Sequence, residues 1–295
     1  MKLTGLGIWT AQFDFYPAGT VRDTVQELES MGYSSLWVGE NVGREAVSHS
    51  AILLSATERM VVATAVANLW ARDPLSMAAA HHTLAEAFPH RFVLGIGVSH
   101  PKLVNDLRGL RYERPVAAVR NYLLAMDELA ERYRAVPAGD RFRMLAALGP
   151  RMLRLAAELT DGAHTYLVPP EHTAAARQIL GPGKALVVEQ AVILETDRVR
   201  AREIGRRHLR RYLTLPNYVN NFRRLGFADA DFEHHGSDRL LDALIVWGDE
   251  NAVAERLHRH RQAGADLVCV QVLDPDFRGL PLPQWRRLAW CAGSG

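Results

Sequence analysis

Residues 60–100 read MVVATAVANLWARDPLSMAAAHHTLAEAFPHRFVLGIGVSH. The run opens with β-branched apolar residues (Val61, Val62, Val66) and closes on small residues and Asn68, the pattern of a buried strand whose far end turns polar. Asp73 offers a helix N-cap and Pro74 a first helical residue, after which Met77, Leu84 and Phe88 recur at helical spacing. Pro89 stops that helix, and Arg91 to Gly97 forms a second short apolar strand before Val98-Ser99-His100. A strand, a crossover helix and a second strand in this order predict parallel neighbours with both C-terminal ends, Asn68 and Ser99, on one rim of the sheet. Ligands of parallel α/β sheets bind on that rim.

Outward from this unit the alternation continues. Leu3–Trp9, Ser35–Gly39, Phe142–Leu148, Ala163–Val168, Leu186–Leu194 and Ala265–Leu273 read as further strands, separated by amphipathic stretches such as Thr20–Met31 and Pro115–Tyr133. Eight strands alternating with helices, with no Pro/Ser/Gly-rich linker between them, predict a (β/α)8 TIM barrel over residues 1–295 as a single domain. The less regular stretch at about 213–245 reads as a helical insertion between strands seven and eight. An open doubly wound sheet is disfavoured, because Gly95-Ile96-Gly97-Val98-Ser99-His100 lacks the third glycine of a dinucleotide fingerprint.

Composition narrows the function. The 295 residues are 48% hydrophobic and 23% charged, enough for a large core. Net charge is +2 from 35 basic and 33 acidic residues, which argues against a nucleic-acid partner. Two cysteines, no signal-like N-terminus and no apolar run of membrane length point to a cytoplasmic protein with no membrane partner. His81-His82, His234-His235 and His258-x-His260 lack the spacing of a helical metal pair, so no metal site is expected and these read as surface or packing histidines. The seven arginines of Arg198–Arg211 read as a solvated helix face, its last turns complementing the helix dipole on the side of the barrel away from the site.

If the barrel closes, Trp9, Glu40, Asn41, Ala65–Asn68, Val98–His100, Gly149–Met152 and Tyr166 gather on one rim. That set holds few charges, unlike the paired carboxylates or metal ligands of a hydrolase. Gly149-Pro150-Arg151-Met152 joins a tight turn to a helix start whose free N–H groups suit an anion, although an ordinary strand-to-helix turn reads the same way.

Thr64–Pro74 and Arg91–Gly97 resemble the bacterial luciferase-like superfamily, and within it the oxidoreductases of actinobacterial type that use the deazaflavin coenzyme F420. The likeness extends through Leu148–Glu158, Tyr166–Thr173 and Leu215–Phe227. It implies a TIM barrel in which the loop Gly149, Pro150, Arg151, Met152 holds the cofactor phosphate. It also implies a non-proline cis peptide at Ala65-Val66 against one ring face, Asn68 at the ring edge, and Val98, Ser99 and His100 beneath the ring. Glu40 falls where relatives carry an acidic residue near the deazaflavin. Asn41 and His100 replace a catalytic histidine and a glutamate of a sugar-phosphate-oxidising branch, so that chemistry is not expected. His100 is the candidate proton donor, with Glu40 a second catalytic candidate. Trp9, Asn41 and Tyr166 would shape the substrate side. The implied activity is hydride transfer from reduced F420 to an electron-poor C=C, C=N or C=O of a small molecule, by a homodimer. An FMN-dependent monooxygenase and a non-catalytic flavin-binding barrel share the same scaffold and stay open.

Overall fold

A computed structural model describes residue 1 and residues 3–292. The predicted unit splits into three strands rather than two: β3 (Val61–Thr64), β4 (Ala67–Asn68) and, after a crossover helix, β5 (Phe92–Gly97). In chain order the remaining elements are β1 (Leu6–Thr10), α1 (Ala18–Ser30), β2 (Ser35–Val38), α2 (Ala46–Ser55), the crossover helix α3 (Pro74–Ala87), α4 (Pro115–Ala130), β6 (Phe142–Ala146), α5 (Pro150–Leu159), β7 (Gly162–Thr165), α6 (Pro170–Leu180) and β8 (Ala185–Ile193). They are followed by α7 (Arg198–Tyr212), α8 (Pro216–Arg224), α9 (Asp238–Leu244), β9 (Ile245–Trp247), α10 (Glu250–Gln262), β10 (Leu267–Val272) and α11 (Leu282–Leu288).

All pairings are parallel, and the order β10-β1-β2-β3-β5-β6-β7-β8 is closed by β10 against β8. This is the eight-stranded TIM barrel. Helix starts follow the caps in the sequence: the Asp73 carboxylate accepts from Ser76 N at 3.0 Å, and Asp197, Ser237 and Asp249 cap α7, α9 and α10 in the same way. Proline stands at the start of α3, α4, α5, α6 and α8, where its missing N–H costs no helical bond.

Strand alternation divides the core into two. Inside the barrel lie Trp37, Ala63, Ala65, Val93, Met144, Val187, Leu267 and Cys269. Between strands and helices lie Leu6, Ile8, Leu36, Val62, Leu94, Leu145, Val188 and Val268 with the helical apolar faces. Trp37 stacks on His164 inside the barrel, ring centroids 5.0 Å apart, and both side chains are buried. His81, His82 and His260 are buried packing residues, and both cysteines are buried free thiols.

Two features depart from the sequence reading. Ile245–Trp247 forms an unforeseen strand that pairs with Ala191–Ile193, beyond the point where β7 leaves β8 at Val188. Helix α7 does not carry its arginine-rich end to the far side of the barrel: Tyr212 and Arg211 reach Tyr166 and Asn41, residues that follow β7 and β2. The reason is a separate apolar core in which Leu209 of α7 packs with Phe222, Leu240, Leu241, Leu244 and Ile245 of α8, α9 and β9. The helix is drawn toward that core rather than down the barrel wall. Among the described residues no helix is long and apolar enough to cross a membrane, and no cluster of His, Cys, Asp and Glu is placed to hold a metal.

Candidate active site

The site begins at the break between β3 and β4. Ala63 pairs with Val93 but Ala67 pairs with Ile96, so one extra residue bulges from the strand and the ladder slips by one. The Ala65-Val66 peptide bond within the bulge is cis. Thr64 bridges the gap, its hydroxyl donating to Gly95 O at 2.7 Å and accepting from Gly95 N at 2.9 Å. The two glycines of β5 make the close approach feasible. A Cβ on Gly95 would stand 2.0 Å from Thr64 O, and one on Gly97 would stand 2.3 Å from Val66 Cγ2. Trp9 Nε1 donates to the Ala65 carbonyl at 3.3 Å, which ties β1 to the bulge.

Beside the bulge a buried ion pair organises Asn68. Glu40, which follows β2, accepts from Asn68 N at 2.6 Å and from Arg72 Nη1 at 2.9 Å, and Arg72 Nη2 bonds its other oxygen. Their side chains are only 5% and 12% exposed. Burial alone would lower the Arg72 pKa, but the bonds and charges of Glu40 and Glu45 outweigh it and hold the guanidinium above its ordinary value. Asn68 Oδ1 in turn accepts from Trp70 N at 3.0 Å, and Trp70 Nε1 donates to Val98 O at 3.0 Å. Glu40 is therefore committed to holding the strand end, and Val98 is buried beside it. Ser99 takes a left-handed backbone (φ 58°) that turns the chain toward half-buried His100.

On another sector of the rim, Gly149 N-caps α5 with extended backbone and no side-chain cap, and Pro150 opens the helix. His172 bonds Leu148 O at 2.8 Å through Nε2 and steadies the turn. Arg224 of α8 overhangs it, with Nη2 3.2 Å from where a Gly149 Cβ would stand. Arg151 is exposed, and Met152 packs partly on the main core. An uncapped helix start with a guanidinium overhead fits a phosphate group.

Over the mouth sits a tyrosine cluster. Tyr166 Oη donates to Gln271 Oε1 at 2.7 Å and lies 2.7 Å from Tyr212 Oη, while its ring meets the edge of Trp9 at 5.2 Å between centroids. Tyr218 packs on Tyr212 and faces His100 at 6.0 Å. The His100 imidazole is held below its ordinary pKa by burial first and the Arg211 charge second, opposed by a hydrogen bond with Asn217. Asn41 is exposed and, with its amide oxygen turned to Arg211, accepts from Nη2 at 2.9 Å.

Sequence reading missed at least four residues. Arg211, Tyr212 and Tyr218 come from the α7–α8 segment, whose path depends on the second apolar core. Glu189 is fully buried in β8, with Oε2 accepting from Leu167 N at 2.8 Å and Oε1 unpartnered. Burial pushes its carboxyl up to about 8, against the lowering effect of the Leu167 bond. A lone glutamate inside the apolar run Leu186–Leu194 was the available signal.

Comparison with known proteins places this geometry. The family model for luciferase-like monooxygenases matches residues 10–267. A Mycobacterium tuberculosis protein named as a coenzyme F420-dependent oxidoreductase is 30% identical over 186 residues, so the chain spans about half of it (52%, against 53% of this chain). The 5,10-methylenetetrahydromethanopterin reductase of Archaeoglobus fulgidus is 24% identical over 85% of this chain and 89% of its own. Among solved structures, an F420-dependent secondary alcohol dehydrogenase in complex with an F420-acetone adduct superposes with TM-score 0.75 at 15% identity, covering 99% and 98% of the two chains. An FMN complex of the oxygenating constituent of 3,6-diketocamphane monooxygenase from Pseudomonas putida has TM-score 0.71 at 15% identity over 98% and 97%. The match of the family model to most of the chain, on a closed parallel barrel, makes this protein a member of the luciferase-like monooxygenase family.

Proposed function

We propose that this protein is a coenzyme F420-dependent oxidoreductase that reduces an electron-poor C=C, C=N or C=O of a small organic molecule. The observation that carries the reading is the pairing, on one rim, of the Ala65-Val66 bulge on β3–β4 with the uncapped α5 start at Gly149. Gly149, Pro150, Arg151 and Met152 would hold the phosphate through backbone N–H groups and the Arg151 guanidinium. Ala65, Val66, Asn68, Val98 and Ser99 would offer a flat, small-residue wall and one amide to a tricyclic ring. When bound in its reduced form, the deazaflavin supplies the hydride. Trp9 and Tyr166 would wall the acceptor's side, and His100 would donate the accompanying proton. Glu40 acts as a positioning residue through Asn68 and Arg72. The scaffold's kinship with an FMN-binding monooxygenase supports FMN-dependent oxygenation as the second reading.

Titration of the cofactor-free protein with F420 and with FMN separates the two. The expected outcome is saturable deazaflavin binding and oxidation of reduced F420 by members of a panel of enones, imines and ketones. Tight FMN binding with no deazaflavin response overturns the first reading in favour of the second. His100→Gln is expected to lower turnover about 100-fold, the usual scale for losing a general acid, and by more than any loss of deazaflavin affinity.

A further inference from the structure

The C-terminal turn of α7 places one cation on the mouth without an acidic partner. Elsewhere on this helix, Arg200 pairs with Glu195, Arg202 with Asp238 and Asp242, and Arg206 with Asp238, while Arg207 donates to Pro275 O at 2.9 Å and exposed Arg198 and Arg210, like Arg211, have no carboxylate within 4.0 Å among the described residues. Among the described residues, no carboxylate lies within 4.0 Å of Arg211; its contact is the neutral amide of Asn41, at 2.9 Å from Nη2 and 3.3 Å from Nη1. The nearby acid in the β2 loop, Glu40, is already committed to Arg72. The field of Arg211 is felt across the mouth, since it adds to burial in holding both His100 and His208 below their ordinary pKa. Tyr212 and Tyr218 stand beside it as aromatic walls.

We propose that Arg211, braced by Asn41, is the anchor for a carboxylate on the acceptor, so that the substrate is a small unsaturated carboxylic acid. This rests on the reductase reading above and names its substrate class. A planar guanidinium with one edge held by Asn41 keeps further N–H donors for a carboxylate, which it can bind through two parallel hydrogen bonds. A phosphate already has its own place at Gly149 under Arg224, and β2 and β6 stand three strands apart in the ring of eight. A carboxylate on Arg211 therefore sets the acceptor across the mouth from the phosphate loop and beside His100. In the reaction one alkene carbon would take a hydride from the reduced deazaflavin, which would be oxidised and release its ring N–H proton to solvent, and the neighbouring carbon would take a proton from His100. The C=C π bond breaks, two C–H bonds form, and His100 regains its proton from water.

The test compares wild type with Arg211→Gln, an exposed position where folding is not at stake. Equilibrium binding of a panel of aliphatic and aromatic unsaturated acids, cinnamate and acrylate among them, and of their methyl esters is followed by tryptophan fluorescence of the cofactor-free protein, with deazaflavin binding titrated separately. The expected result is at least one acid binding wild type about tenfold or more tighter than its ester, the preference lost in Arg211→Gln, as befits one charge-assisted pair. No acid preference in wild type, including no acid binding, overturns the proposal, as does a preference that survives the substitution. Titrating deazaflavins with and without their acidic tail covers the other source of a carboxylate. If Arg211→Gln weakens only the tailed form, the anchor serves the cofactor and the acceptor assignment falls. Failure of wild type to bind any deazaflavin, by contrast, defeats the reductase reading without touching the acid–ester comparison.

Discussion

At Gly95 a methyl group would meet a backbone oxygen, which cannot yield, whereas at Gly97 it would meet the end of the Val66 side chain. Gly95→Ala is therefore expected to cost about 3 kcal/mol by urea unfolding, at the upper end for overpacking. Gly97→Ala should cost less, and the double variant Gly97→Ala with Val66→Ala should recover most of the loss. No recovery in the double variant would show that the clash lies elsewhere. At this scale the places of Asn68, Ser99 and Gly149 on the rim were legible, because polar or turn-forming residues follow apolar runs at strand ends, whereas the cis peptide at Ala65-Val66 was implied by the family resemblance. Glu189 was legible only as an oddity, since its hydrogen-bond partner, Leu167 N, comes from another strand's end. Glu40 was located correctly among the rim residues, but nothing in the linear order revealed that Arg72, 32 residues on, occupies its oxygens.

Among the elements, the turn from β4 into α3 depends on the Glu40–Arg72 pair. Removing one member leaves a buried charge without compensation, so Arg72→Met is expected to destabilise by about 3 kcal/mol and to weaken deazaflavin binding through Asn68. Glu45, on the same guanidinium but 45% exposed, should cost under about 1 kcal/mol when changed to Gln, measured by the same unfolding experiment. Helices and strands were readable because caps, prolines and periodicity are local. The path of α7 was not: a run of arginines reads as a solvated face whichever way it points, and the apolar residues that turn it, Leu240, Leu241, Leu244 and Ile245, lie some thirty or more positions later. The short β9 was hidden for a related reason, since three residues carry too little periodicity to separate a strand from the end of the preceding helix.

For the whole molecule, buried histidines set the response to acid. His49, His164 and His208 are pushed down to about 4, and His81 and His260 to about 3, in each case chiefly by burial. Unfolded, each would take up a proton near pH 6.5, so the stability they confer is full above that pH and is lost as the pH falls below it. Glu189, at about 8 when folded, works in the opposite direction, its contribution fading as pH rises from 4.5 to 8. Five groups outweigh one, and the melting temperature is expected to drop by more than about 10 °C between pH 7.5 and pH 5, at about 2–4 °C per kcal/mol. A flat calorimetric profile over that range would contradict the burial of these rings. The closed barrel itself was legible in the alternation of strands and helices, because eight buried parallel strands leave few other ways to cover both faces. Its interior has a further consequence. Trp37 lies flat against His164 and both rings are buried, so side chains fill the barrel interior there. On the reductase proposal, a hydride donor seated against Ala65 could sink no further into the barrel, and its acceptor would have to lie on the solvent side of it.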